Sequence, residues 1–174
     1  QNAAAHFDTI PYNADNKVVF LPYLSGERTP HNDPFATGAF VGITHDTART
    51  DMCSAVLEGV AFAFADCQDA LAAAGAHASE VAVIGGGSRN KLWGKILASV
   101  LHKNLIYYRD ADQGPAYGAA RLAQISKNPK DVHNLLNQPE ILETVMPNEA
   151  WSDQLKSRLD QYRAIYNGLK SVRG

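Results

Sequence analysis

The stretch Val81-Ala82-Val83-Ile84-Gly85-Gly86-Gly87-Ser88-Arg89-Asn90 is where this chain is best equipped for chemistry. A short apolar strand runs into three glycines, and a helical pattern follows at once. Three consecutive residues without Cβ let a ligand come close to the backbone. The helix start beyond them offers unpaired N–H groups and a partial positive charge. Together these suit a nucleotide or another anion. The spacing is neither the G-x-G-x-x-G of a dinucleotide fingerprint nor the G-x-x-x-x-G-K-[ST] of a P-loop. A tight strand-to-helix turn that binds nothing has the same look, so the run alone leaves both readings open.

The elements that must carry this turn are legible from periodicity. Residues 17–24 read as a strand ending near Pro22, residues 25–34 as a polar loop with two prolines and a glycine, and residues 38–44 as a second strand. A long helix is predicted over 51–74, where Met52, Val56, Val60, Phe64, Cys67 and Leu71 recur at intervals of three and four. Thr50 suits its N-cap, Asp51 its first turn and Gly75 its C′ position. Its alanines and Gly59 leave little polar surface, so burial on more than one side is expected. A strand over 81–84, a helix over 90–101, a strand over 105–108 and a helix over 115–126 follow. Pro115 opens the last of these, and Leu92, Trp93, Ile96, Leu97, Val100 and Leu101 form the stripe of the helix over 90–101. An irregular connector spans 127–150. The final helix, 150–171, lines up Trp151, Leu155, Leu159, Tyr162, Tyr166 and Leu169, a stripe read as docking on its own domain.

Alternating strands and helices predict an α/β layer architecture. Ligands in such sheets gather at the carboxyl ends of strands. The turn after Ile84 and the loop after Tyr108 both lie at such ends and are expected to face one crevice.

Composition narrows the function classes. The 174 residues fit one domain, taken as 1–174, with an ordinary 45% hydrophobic and 20% charged content. Sixteen Lys and Arg against 18 Asp and Glu give a formal net charge of −2, so no basic field points to nucleic acid. No apolar run reaches membrane-spanning length, and Gln1-Asn2-Ala3-Ala4-Ala5-His6 does not read as a signal peptide. The missing initiator Met reads as a start inside a longer gene product. Cys53 and Cys67 lie 14 residues apart on one predicted helix, far beyond disulfide reach, and read as small core residues of a reducing, cytoplasmic compartment. The histidines at 6, 31, 45, 77, 102 and 133 fall at no metal-ligand spacing, so no metal site is assigned.

Four ordered blocks resemble the C-terminal half of the FGGY carbohydrate kinases. They are Phe20-Leu-Pro-Tyr-Leu-Ser-Gly-Glu-Arg-Thr-Pro-His-Asn-Asp-Pro34; Gly38-x-Phe-x-Gly-Ile43 with Asp51-Met-x-x-Ala-Val-Leu-Glu58; Ile84-Gly-Gly-Gly-Ser-Arg-Asn90; and Gly114-Pro-Ala-Tyr-Gly-Ala-Ala120. The second block fits the family's second signature over its whole length. The likeness is closest to the xylulose-phosphorylating members and runs from about Val18 to Ala123.

The resemblance implies an actin-like (ribonuclease H-like) ATPase fold and the ATP-side half of a two-domain sugar kinase. It implies ATP and Mg2+ as cofactors and a pentulose as acceptor. D-xylulose leads, with ribulose, gluconate and glycerol not cleanly set aside. By motif, Gly86 would lie against the phosphates and Asn90 would contact the adenine, while Gly85, Gly87 and Ser88 shape the same loop. Asn90 also reads as a helix cap. Glu27 and Arg28 would border the sugar or interdomain cleft, or form an internal loop contact. Glu58 is expected to be structural, satisfying nearby backbone groups. Gly114 and Gly118 are expected to let a helix pack closely beneath the nucleotide, and Tyr107, Tyr108 and Tyr117 read as core or rim residues.

The family's phosphate hairpin and catalytic Asp match nothing here, since Asp8, Asp15 and Asp33 sit in other motifs. No catalytic residue is therefore assigned within the chain. The missing N-terminal domain would be its partner, a homodimer remains open, and the chain alone is expected to be inactive. A stand-alone, non-catalytic nucleotide-binding or interaction module is the alternative.

Overall fold

A computed structural model of the chain describes residues 11–13, 15–109, 115–136 and 139–173. Two small sheets and three long helices organise them. Strand β1 (Val19–Leu21) pairs antiparallel with β2 (Ala39–Val41), with Phe20 opposite Phe40. The second sheet has the order β3-β4-β5. Its parallel pair is β3 (Glu80–Val83) with β4 (Asn104–Tyr108), and β5 (Ile141–Val145) runs antiparallel to β4. The helices are α1 (Arg49–Ala73), α2 (Lys91–Leu101), α3 (Pro115–Lys127), the short α4 (Val132–Leu135) and α5 (Glu149–Arg173). The predicted α/β class holds. Both predicted strands shrink to three residues: past Leu21, Pro22 lacks an N–H for the ladder, and past Val41, Gly42 leaves the extended region with φ +88°.

Helix α1 begins two residues earlier than Thr50 suggests. Its N-cap is Ala48, whose N–H donates to the Asp51 carboxylate at 2.9 Å, so the acidic first-turn residue does the capping and Thr50 sits inside the helix. At the other end Gly75 adopts φ +86°, its N–H donates to Ala72 O at 3.0 Å, and Ala76 N–H donates to Leu71 O at 2.9 Å. This is the left-handed Schellman stop expected of Gly75.

The face that α1 buries differs from the predicted stripe. Phe64 and Leu71 are exposed, and Met52, Val56 and Val60 are only half-buried. The buried positions are Ser54, Ala55, Leu57, Glu58, Gly59, Ala61, Phe62, Ala65 and Asp66. The cause is close approach. A Cβ at position 59 would collide with the carbonyl oxygen of Phe20, so the helix lies directly on β1 and only small residues fit the line of contact. Large side chains are displaced to its flanks. Contacts with β1, α2 and α5 bear out burial on more than one side. Cys53 and Cys67 are free and half-buried on this helix, rather than in the core.

Helix α5 closes the core with its predicted stripe. Leu155, Tyr162 and Tyr166 are buried in the same cluster as Leu21, Phe62, Ile96, Leu97 and Leu105. One turn of α5 also delivers a charge to the interior. Arg158 donates from Nε to Glu58 Oε2 at 2.9 Å and from Nη2 to the same oxygen. Its Nη2 also donates to Val18 O at 2.9 Å, and its Nη1 to Asn16 O. Tyr12 donates its hydroxyl to Glu58 Oε1 at 2.9 Å. Glu58 is 1% exposed. Burial pushes its carboxyl above the ordinary range, while the guanidinium and the Tyr12 hydroxyl oppose that push. Glu58 is thus structural, as expected, but its partners are Arg158 and Tyr12 instead of backbone groups.

Removing one partner of such a pair strands the other charge. Arg158→Met is expected to destabilise the chain by about 3–5 kcal/mol in urea unfolding, and Glu58→Leu combined with Arg158→Met by less than Arg158→Met alone. A double variant as unstable as the single would show that the ion pair is not the source of the loss.

Candidate functional site

The glycine run leaves the C-terminal end of β3, beside the C-terminal end of its parallel partner β4. A 3-10 turn, Gly86–Arg89, separates the strand from α2, where an immediate helix start was expected. Ser88 closes it, donating N–H to Gly85 O at 3.1 Å and its hydroxyl to the same oxygen at 2.7 Å. The N–H groups of Gly86 and Gly87 precede the first acceptor pair of that turn and are left outside its internal bonding.

The three glycines answer three different constraints. Gly85 has φ +84°, which a side chain would strain. At Gly86 a Cβ would meet nothing within 4 Å, so the space over it is open to a ligand. At Gly87 a Cβ would lie 2.9 Å from the Trp93 ring.

Asn90 is the N-cap of α2, with its Oδ1 accepting from Trp93 N–H at 2.7 Å. The capping reading is therefore realised in the structure. The Nδ2 group has no partner among the described residues and remains able to donate to a base edge. Ser88 and Asn90 are both half-buried, while Gly86 and Gly87 are exposed.

The polar loop is the second group of predicted residues. Glu27 and Asp33 exchange backbone hydrogen bonds at 2.8 and 2.7 Å, and Glu27 Oε1 accepts from Thr29 N–H at 2.8 Å. Glu27 thereby serves the loop's own geometry. Arg28 is exposed and forms no ion pair among the described residues. The internal loop contact is thus made by Glu27, and Arg28 is left available at the surface.

Beneath the loop lies a polar cluster that periodicity did not reveal. Tyr162 donates to Tyr23 at 2.6 Å, and the Tyr23 hydroxyl lies 3.1 Å from His31 Nε2. His31 stacks on Tyr166 with centroids 3.9 Å apart. Tyr166 donates to Asp33 Oδ2 at 3.0 Å. Burial pushes the His31 imidazole below its usual range, opposed by the Asp66 carboxylate, whose Oδ2 lies 3.6 Å from Nε2. Arg163 bonds Asp66 Oδ1 at 2.7 Å and Asp69 Oδ2 at 2.6 Å. These residues come from the loop, α1 and α5, so no local spacing announces them. The His-Asn-Asp run in the loop was the one available sign.

One turn of α1 touches both groups. Phe64 packs 6.2 Å from Trp93 under the glycine turn, and Cys67 Sγ lies 3.1 Å from Thr29 O in the polar loop. The fourth block does not join them as expected. A Cβ at Gly118 would meet nothing within 4 Å, and no described residue of α3 is buried, so no close helix packing forms there among the described residues. Gly114 lies outside the described residues, as does most of the loop after Tyr108. Tyr107 and Tyr108 are half-buried, and Tyr117 is exposed beneath Arg121. A cleft of about 350 Å³ between α1, α2 and α5, lined in part by Gln68, His102, Lys156 and Asp160, contains none of the candidate site residues. Among the described residues no three His, Cys, Asp or Glu converge as metal ligands, and no helix is long and apolar enough to cross a membrane.

Comparison with known proteins agrees with this layout. Residues 1–126 match the FGGY family of carbohydrate kinases, C-terminal domain. The chain is 44% identical over 153 residues to a xylulose kinase of Escherichia coli (strain K12), covering 87% of this chain and 32% of that protein. It superposes on the crystal structure of a xyloylose kinase from Brucella ovis with a TM-score of 0.85 and 36% identity, covering 97% of this chain and 36% of that one. A xylulose kinase from Rhodospirillum rubrum gives 0.78 and 27%, covering 97% of this chain and 34% of that one. The chain thus spans about a third of the length of these relatives.

The cap and the base-edge donor of Asn90 can be separated. Asn90→Ala is expected to cost about 1 kcal/mol of stability, whereas Asn90→Asp keeps the acceptor and stays near wild type. Thermal melts of both variants check this, and equal losses would show that the side-chain oxygen does not cap α2.

Proposed function

This chain belongs to the FGGY family of carbohydrate kinases, as a C-terminal domain, and on that premise we propose that it holds ATP while the γ-phosphate passes to a sugar hydroxyl. The whole of residues 1–174 is read as that one domain. The acceptor is a pentulose, with D-xylulose first, a choice supported by the likeness to the xylulose kinases above. The observation that carries the reading is Gly86. It stands open, at the carboxyl end of a parallel strand pair, two residues before the half-buried Ser88 and four before an amide with a free donor.

Phosphoryl transfer asks mainly for positioning and charge stabilisation. The open face of Gly86 and the N–H groups of Gly86 and Gly87 suit phosphate oxygens, and the Nδ2 of Asn90 suits the acceptor edge of an adenine. Bound ATP supplies the transferable phosphoryl group. Gly85 and Ser88 keep the turn in shape. Mg2+ finds no carboxylate cage among the described residues, so no step is assigned to it in this chain. The exposed Arg28 guanidinium suits an anionic or hydroxyl-rich partner, with Glu27 holding its loop. The acid–base carboxylate belongs to the remainder of the enzyme, so this chain alone is inactive.

The test is a coupled ADP-release assay on the full reading frame, with D-xylulose, L-xylulose, D-ribulose, gluconate and glycerol, and this chain alone as control. Turnover with D-xylulose well above the others, and none from the chain alone, is the expected result. Sugar-dependent ADP release by the chain alone would contradict the two-part mechanism. No turnover on any sugar with nucleotide binding intact would favour a non-catalytic binding module.

A further inference from the structure

We infer that Trp93 is the positioning residue of the nucleotide turn, and that its indole, rather than the ligand, is what keeps position 87 a glycine. The inference rests on the nucleotide reading proposed above.

The contact is specific to one edge of the ring. A Cβ at position 87 would lie 2.9 Å from Cζ3, 3.6 Å from Cε3 and 3.7 Å from Cη2 of Trp93. All three atoms belong to the six-membered ring of the indole, so its benzo edge forms the floor on which Gly87 rests. One residue earlier, at Gly86, the same construction meets nothing within 4 Å. The two glycines therefore face opposite environments: Gly87 looks onto protein and Gly86 into the open.

Trp93 is itself anchored from three elements. Its backbone N–H donates to the Oδ1 of Asn90, the N-cap of α2, at 2.7 Å. Its ring meets Phe64 of α1 at 6.2 Å and an interplanar angle of 56°. The next residue, Gly94, sits so close to the Tyr107 hydroxyl of β4 that a Cβ there would collide with it. That hydroxyl is buried without a hydrogen-bond partner among the described residues, so it is the steric contact with Gly94 that holds α2 against β4 there. A rigidly held indole under Gly87 sets the height of the turn, and with it the position of Gly86 and its N–H toward the phosphates. Asn90 is tied to the same residue through the cap, so the two groups proposed to meet the ligand share Trp93 as their reference point.

Trp93→Phe keeps an aromatic ring on α2 but withdraws the benzo edge. In the enzyme expressed from its full reading frame, ADP binding by calorimetry is measured first on the unsubstituted protein, and its absence there would overturn the nucleotide reading together with this inference. With binding established, Trp93→Phe is expected to weaken ADP by about tenfold and to raise the KM for ATP more than it lowers kcat. Gly87→Ala should weaken ADP as well, and the double variant should lose less than the two effects multiplied, because the smaller ring vacates the space the methyl needs. Wild-type ADP affinity in a folded Trp93→Phe, or simple multiplication in the double variant, would overturn the inference. Should Trp93→Phe not fold, melting of Gly86→Ala and Gly87→Ala decides: the second alone should melt lower, and equal melting would overturn it.

Discussion

A single buried ion pair, Glu58 with Arg158, fixes how the parts of this molecule meet. Glu58 stands on α1, Arg158 on α5, and the guanidinium also takes the carbonyl oxygens of Asn16 and Val18 just ahead of β1. Three segments far apart in sequence are thus held at one ion pair. A charge in the interior is tolerable only when its hydrogen bonds are complete, and here Tyr12 supplies what Arg158 does not. With that node in place, α1 lies on β1 at the distance that only Gly59 permits, and α5 brings Tyr162 and Tyr166 under the polar loop.

The same frame carries the candidate site. Because α1 is fixed lengthwise, its turn from Phe64 to Cys67 lies beside Trp93 and the loop at Thr29 together. Chemistry is left to the surface of that frame: an open Gly86, an amide donor on Asn90 and an exposed guanidinium on Arg28. None of these groups is reactive by itself. They suit a domain that orients a nucleotide and leaves proton transfer to residues elsewhere, which is the division of labour that phosphoryl transfer permits.

What the sequence made legible follows from the range of the forces involved. The α/β class, the helix stop at Gly75 and the docking stripe of α5 are local or periodic, and they hold. The glycine run was legible as a strand-to-helix turn, although the separate reasons for Gly85, Gly86 and Gly87 depend on Trp93 and on φ angles that spacing does not reveal. The buried face of α1 was misread. Its period is carried by small and polar residues selected by a neighbouring backbone, while the large apolar side chains stand at the flanks. The partners of Glu58 and the cluster of Tyr23, His31, Asp66 and Arg163 join residues up to a hundred or more positions apart, and pairings of that kind leave no mark in a local pattern. The expected helix packing at Gly118 failed for the converse reason: glycine permits close approach but does not by itself bring a neighbour.

The central claim is that the turn at the end of β3 is the nucleotide seat of this domain. Amide hydrogen exchange on the full-length enzyme, with and without ADP, reads it residue by residue. The account predicts that ADP slows exchange most at Gly86, Gly87 and the first turn of α2, with the cleft between α1, α2 and α5 unchanged. Protection centred on that cleft, with the glycine turn unaffected, would contradict it.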